Sequence, residues 1–409
     1  MTRERSTILV SLHGPDRAGI SAALMEVLAA GGAEIYDIEQ IVMRQRLTLN
    51  LLIGVTPEGA TVRDVLYFAW ENGLHVEFEV IEPAPEPLRT MSVVTVIGPI
   101  VGPEEFGQVA GAIAGGGANI ERIVRLSRYP VISYELTISG GDIDRIRSTL
   151  VDVAATSPID VAIQPDGLVR RAKRMVVMDV DSTLIQEEII NLLAREAGVE
   201  DKVAEITSAA LAGEIDFEES LRERVSLLAG LGQDTLGRVA SNVSLTPGAR
   251  TLIRTLKRLG VKTAIVSAGF TRFTSALAEQ LGIDYSLSNT LDVKDGVLTG
   301  GLVGEFVDGP RKARFLEEIA SAERIPLDQV VAIGDGANDL DMLSVAGLGI
   351  AFNAKPFVTE KVGTSITVPF LDAILFLLGI AREHVDAADA SDPGFDQPML
   401  MEIPGTPPA

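Results

Sequence analysis

The run "VVMDVDSTLIQ" (176–186) sets three apolar residues before two acids, Asp179 and Asp181, and returns to apolar residues behind a Ser and a Thr. Unbroken apolar runs without alternation suit central strands of a parallel sheet covered on both faces. Similar runs recur at "KTAIVSAG", "QVVAIGDG" and "LGIAF", each next to a helical stretch. The expected fold is α/β, with ligands at the carboxyl ends of the strands. Four polar clusters fall there: Asp179, Asp181 and Thr183; Ser267 in "IVSAGF"; Lys312 in "DGPRKARF"; and Asp335, Asn338 and Asp339 in "IGDGANDLDML". They offer acids for Mg²⁺, hydroxyls and backbone N–H groups for an anion, and one ammonium to balance charge.

Working outward, residues 187–245 carry helical patterning between the first two apolar runs, an insertion expected to form a cap. Upstream the rhythm changes. "LAAGGAEI" (28–35) returns as "IAGGGANI" (113–120), 85 residues later. Each copy reads β-α-β-β-α-β, the ferredoxin-like plan. Expected boundaries are 1–84 and 88–166 for the repeats, with "PAPEP" (83–87) between them, 172–390 for the α/β domain, and a Pro- and Gly-rich tail over 391–409.

The chain has 409 residues, 46% hydrophobic and 22% charged, as in ordinary globular proteins. A formal charge of −22 argues against nucleic acid and anionic membranes as partners, so a site for an anion must supply its own positive charge. With 0 Cys there is no disulfide framework or thiolate metal site. No apolar run reaches membrane-span length and the N-terminus lacks a signal peptide's apolar stretch, so the cytosol is the expected compartment.

Each cluster alone has a plainer reading. Asp-x-Asp also describes a solvated turn, Ser267 a loop hydroxyl, Lys312 a surface charge. An EF-hand is excluded, since neither acidic stretch pairs a Gly at the sixth place with a Glu at the twelfth. "GDGAND" imitates a dinucleotide fingerprint, but Asp339 stands where the third Gly belongs. Only the ordered set on successive strand ends favours function.

That set, "DVDSTL", "VSAGF", Lys312 and "GDGANDLDM", resembles the four motifs of the haloacid-dehalogenase superfamily in order. "EEII", "LAREAG", "EIDFEESLRERVSLLAGL" and "GIAFNAKP" are similar to its phosphoserine phosphatase family, and the N-terminal repeats resemble ACT domains. The resemblance implies a Rossmann-like core with a helical cap, acting on phosphoserine with Mg²⁺. It makes Asp179 the nucleophile and Asp181 the general acid and base. Asp179, Asp335, Asp339 and the Asp181 carbonyl surround the metal. Thr183, Ser267, Ala268, Asn338 and Lys312 attend the phosphoryl group. Glu188 and Arg224 take the substrate's amine and carboxylate, and Phe217 closes the cap. Two positions depart from the family pattern: Ala268 replaces a Gly, and Leu211 a Met. Other small phosphomonoesters or phosphopeptides, and a non-catalytic amino-acid sensor, are the rival readings. The ACT resemblance implies L-serine as effector at Gly14, Asp16 and Gly19 of "HGPDRAGI", and a homodimer. The second copy has Glu104 in place of Gly19 and is expected to bind weakly or not at all.

Overall fold

Alternation of apolar residues builds the two N-terminal sheets; continuous apolar runs build the third. The computed structural model describes residues 5–56, 60–82, 90–211 and 214–392; the 83–87 linker, the Leu211 side chain and the tail beyond 392 lie outside the described residues. In the first repeat, β1 (Ser6–Pro15), β2 (Glu34–Met43), β3 (Arg46–Val55) and β4 (His75–Ile81) form an antiparallel sheet in the order β2-β3-β1-β4. The register pairs Val10 with Leu51 and Leu12 with Leu49, so these side chains share one face. There they meet Leu24 and Leu28 of helix Ile20–Ala30 and Val65 and Phe68 of helix Thr61–Glu71. The opposite face carries Thr7, Ser11 and His13, as a half-wet sheet does.

The second repeat has the same plan: β5 (Met91–Gly98), β6 (Ala118–Ser127), β7 (Ile132–Gly140) and β8 (Asp160–Pro165), ordered β6-β7-β5-β8. Its sheet differs in being covered twice. Val94, Val96, Leu136 and Ile138 pack under helices Pro103–Gly115 and Ile143–Thr156. From the other face Ile97, Leu126, Val131 and Ala162 join the core of the C-terminal half, with Phe376 and Leu377. Polar contacts lock this seam. The buried Asp160 carboxylate accepts from Thr367 N (2.7 Å), Thr367 Oγ1 (2.8 Å) and Val368 N (3.2 Å). Gln164 Nε2 donates to Leu377 O at 3.0 Å, and buried Arg170 pairs with Glu135 at 2.5 Å. The chain accordingly divides into two compact units, 1–88 and 89–409.

The third sheet contains β9 (Met175–Met178), β10 (Lys262–Phe270), β11 (Tyr285–Lys294), β12 (Val297–Val303), β13 (Val330–Gly334), β14 (Leu348–Phe352) and β15 (Ser365–Ile366), ordered β12-β11-β10-β9-β13-β14-β15. All neighbours are parallel except β11 and β12. Met178 aligns with Ile265 and Ile333, so β9, β10 and β13 deliver their following residues to one edge. Between β9 and β10 lie helices Ile189–Ala197, Glu200–Leu211, Phe217–Ser226 and Gln233–Ser241, the expected insertion. The β11–β12 hairpin was not foreseen. It props the insertion: Gly230 N donates to Leu298 O and Leu298 N to Leu231 O, both at 2.8 Å.

The seam carries a prediction. A chain cut to 89–409 should fold and melt cooperatively. One cut to 167–409 exposes an apolar face and leaves the donors on Thr367 and Val368 unmatched, so its melting temperature should fall. Asp160→Ala in the full chain should lower stability by about 1–3 kcal/mol in urea titrations. Equal melting of the two truncated chains would show that the seam contributes nothing.

Candidate active site

β9 ends in extended backbone at Asp179, whose N–H donates to Ile333 O at 2.9 Å. The chain then reverses in the turn Val180–Leu184, with Ser182 at φ 58°. Thr246 pins this turn by donating its hydroxyl to Thr183 O (2.7 Å) and its N–H to Leu184 O (2.9 Å). Asp308 caps helix Gly309–Ala322 by accepting from Arg311 N at 2.8 Å, which directs Lys312 inward. Lys312 is fully buried. Its Nζ donates to Asp179 Oδ1 at 2.6 Å and Asp339 Oδ1 at 2.7 Å. The other Asp339 oxygen accepts from Asp335 N (3.1 Å) and Gly336 N (2.9 Å). Gly334 is required here: a Cβ would lie 2.5 Å from Asp339 Cγ.

Three carboxylates against one ammonium leave surplus negative charge. Burial, then Asp339, pushes the Asp179 carboxyl well above the usual range, and Lys312 only partly offsets this. Asp335 is pushed up to about 7 by burial and then by Asp339. Against the cost of its burial, Asp179 and Asp339 hold Lys312 protonated. Oxygens of Asp179, Asp335 and Asp339 lie within 4.8 Å of one another. Hard oxygen donors and uncompensated charge together fit a divalent cation.

Asp181 stands apart from that trio. Its Oδ2 accepts from Ser267 Oγ (2.8 Å) and its Oδ1 from Ile189 N (2.9 Å). Burial raises its carboxyl and these two bonds pull it back. A cavity of ≈ 570 Å³ opens over Asp179, Asp181 and Asp335, lined by Glu188, Phe217, Arg224, Ala268, Asn338 and the unforeseen Lys355. Burial and Asp181 raise the Glu188 carboxyl, opposed by Arg224 and Lys355; Glu188 still meets water through the open cavity, which limits the lift. Arg224 is half-buried and donates Nε to Ser220 O at 3.2 Å. Phe217 meets Phe306 at a ring-centroid distance of 6.1 Å with the planes tilted by 60°, a contact that sequence analysis does not anticipate.

Three expected phosphoryl ligands, Thr183, Ser267 and Lys312, do not line the cavity. Thr183 is fully buried and donates to Asp335 Oδ1 at 3.1 Å, orienting that carboxylate. Ser267, also fully buried, serves Asp181 and accepts from Gly269 N at 2.7 Å. Buried Asn289 was missed altogether. It donates to Ala268 O (2.8 Å) and accepts from Val307 N (2.9 Å), setting the loop that lines the cavity. Lys355 lies in "GIAFNAKP", after β14, and reaches the cavity only through the fold.

In the first repeat, Gly14 is buried, and a Cβ there would meet Leu74 Cδ2 at 2.6 Å, so its glycine serves packing. Asp16 and Gly19 are exposed; Gly19 has φ 92° and heads helix Ile20–Ala30 without a side-chain cap. In the second repeat Glu105 closes the matching helix start, accepting from Gly102 N at 2.8 Å.

A haloacid dehalogenase-like hydrolase profile matches residues 176–344, and ACT-domain profiles match 6–79 and 90–164. Phosphoserine phosphatase of Streptomyces coelicolor is 50% identical over 95% of this chain and 96% of its own. The chain belongs to the phosphoserine phosphatase family. A second member, phosphoserine phosphatase SerB2 of Mycobacterium tuberculosis, is 45% identical over 97% of this chain and 98% of its own. Among solved structures, a Salmonella enterica haloacid-dehalogenase-family hydrolase covers 70% of this chain and 98% of its own at 30% identity and TM-score 0.63. A probable phosphoserine phosphatase from Vibrio cholerae covers 72% and 88% at 34% identity and TM-score 0.56. Among the described residues no helix is long and apolar enough to cross a membrane.

Removing the central ammonium should be costly. Lys312→Met leaves Asp179 and Asp339 buried without their counter-charge, which costs about 3–5 kcal/mol of stability in metal-free buffer. The folded state takes up a proton at Asp179 above the pH at which the unfolded chain does, so the loss should be largest at neutral pH and shrink on acidification. Urea titrations at several pH values check this; a loss independent of pH would contradict it.

Proposed function

We propose that this protein hydrolyses O-phospho-L-serine to L-serine and phosphate as the last step of serine synthesis. The observation that carries the reading is one cavity with Asp179 on its floor and an acid–base pair, Glu188 and Arg224, on its wall. That pair complements an ammonium and a carboxylate, which a free α-amino acid has and a residue inside a phosphopeptide lacks.

Lys312 occupies Asp179 Oδ1 and leaves Oδ2 to attack phosphorus. The Asp179–phosphoryl bond forms as the bond from phosphorus to the serine oxygen breaks. Asp181, its carboxyl raised by burial, gives that oxygen its proton. Water then attacks the aspartyl-phosphate, Asp181 takes a proton from it, and phosphate leaves. Mg²⁺ held by Asp179, Asp335, Asp339 and the Asp181 carbonyl would supply positive charge against the repulsion between carboxylate and phosphate dianion. Lys312 steadies the developing charge from behind. Thr183 holds Asp335 and Ser267 holds Asp181 in place, while Ala268 and Asn338 meet the phosphoryl group from the cavity wall. Phe217 closes the cap against water.

The same reading makes L-serine the effector of the first repeat, in a cytosolic homodimer. What supports it is the helix start at Gly19, which no side chain caps and whose potential favours a ligand carboxylate, with Asp16 exposed nearby for an amine.

Phosphate release from phosphoserine should need Mg²⁺, stop in EDTA and stop in Asp179→Asn. Full activity in EDTA would refute the metal assignment. Arg224→Ala should erase the preference for phosphoserine over phosphoethanolamine, and Glu188→Ala that over phosphoglycolate, by about 10- to 150-fold each. Unchanged ratios would move recognition elsewhere. Deletion of 1–88 should abolish any inhibition by L-serine that is not simple competition. An identical response in the shortened chain would leave product inhibition as the whole effect.

A further inference from the structure

A second cavity, of ≈ 340 Å³, opens where the cap segment meets the core. Half of its lining residues are apolar: Leu236 of helix Gln233–Ser241, Phe270 and Ala276, and Leu291 and Val293 of β11. Among the described residues one cation lines it, Arg272, on helix Thr271–Leu281. Arg272 Nε is sealed from solvent and has no hydrogen-bond acceptor, and among the described residues its guanidinium forms no ion pair. A buried N–H without an acceptor is costly and rare in folded proteins. No oxygen of the described residues that line the cavity accepts from Arg272 Nε. Glu279 lines it too, but two helical turns from Arg272, and is exposed to water. Ser275 and Thr290 add hydroxyls at the wall.

We propose that this cavity binds a small carboxylate bearing an apolar body. The carboxylate lies on Arg272, whose planar fork matches it in shape and charge, and the apolar body covers Phe270 and Leu291. In a chain of net charge −22 an anion is held only where a local cation faces it, and Arg272 is that cation here. Phe270 also lines the catalytic cavity, so the two cavities share one wall. A ligand at the back of Phe270 biases the Ser267–Phe270 loop and the cap together. It therefore lowers kcat and leaves KM nearly unchanged. That kinetic consequence rests on the proposed phosphatase activity; the binding does not.

The test is ligand-observed fluorine NMR with 4-fluorobenzoate on the full chain, the catalytic cavity saturated with inorganic phosphate and Mg²⁺. Binding should persist under saturation, weaken at least about tenfold in Arg272→Gln and recover in Arg272→Lys. Neutral 4-fluorobenzamide should not bind. Ser275→Phe, which fills the cavity from an exposed helix position, should abolish binding and decides the matter if Arg272→Gln does not fold. Displacement by phosphate, or equal binding to Arg272→Gln or Ser275→Phe and wild type, overturns the proposal. Failure of phosphoserine turnover alongside intact benzoate binding would fall on the functional reading alone.

Discussion

Everything at the catalytic edge is arranged around one fully buried ammonium. Lys312 Nζ bridges Asp179 and Asp339 at 2.6 and 2.7 Å, and neither carboxylate has another full counter-charge among the described residues. Unit charges about 4 Å apart interact by about 4 kcal/mol at an effective dielectric of 20, so this group decides whether the acids can sit together at all. It also leaves the cluster short of positive charge. The result is a folded site that welcomes a divalent cation and, with it, an anionic substrate that the rest of the chain repels.

The scaffold exists to hold that geometry. Asp179 comes from β9, Asp339 and Asp335 from the turn after β13, and Lys312 from a helix whose start is fixed by Asp308. Three neighbouring parallel strands end at one level, and buried side-chain bonds from Thr183, Thr246 and Asn289 keep the connecting loops in place. The second ACT repeat belongs to this scaffold physically. Its sheet packs apolar residues against a core on each face and is sealed to the catalytic half through Asp160. The first repeat, with a polar open face, forms its own unit.

The catalytic edge was legible because it is local in sequence. An apolar run followed by Asp179, and another followed by Asp335, announces a strand and its carboxyl end without any long-range knowledge. Helical spacing likewise revealed the cap. What could not be read depends on partners far apart. Asp160 meets Thr367 across 207 residues, and no periodicity links them. The β11–β12 hairpin was overlooked because "YSLSNTLDVKDGVLTGGLV" mixes polar and apolar residues on strands that are only half-covered. Thr183 and Ser267 were recognised as site residues, but their hydroxyls point to Asp335 and Asp181, an orientation that only three-dimensional packing decides. Gly14, near the end of β1, has a packing reason of its own to be glycine, since a Cβ there would meet Leu74.

The central claim is that Asp179, held through one oxygen by Lys312, uses the other as nucleophile. Acid-quenched peptide mapping by mass spectrometry of Asp181→Asn, mixed with phosphoserine and Mg²⁺, tests it most directly. The account predicts one added phosphoryl group on the peptide that carries Asp179, and none in the Asp179→Asn/Asp181→Asn double variant. A phosphoryl group on another residue, or continued turnover with none on Asp179, would contradict it.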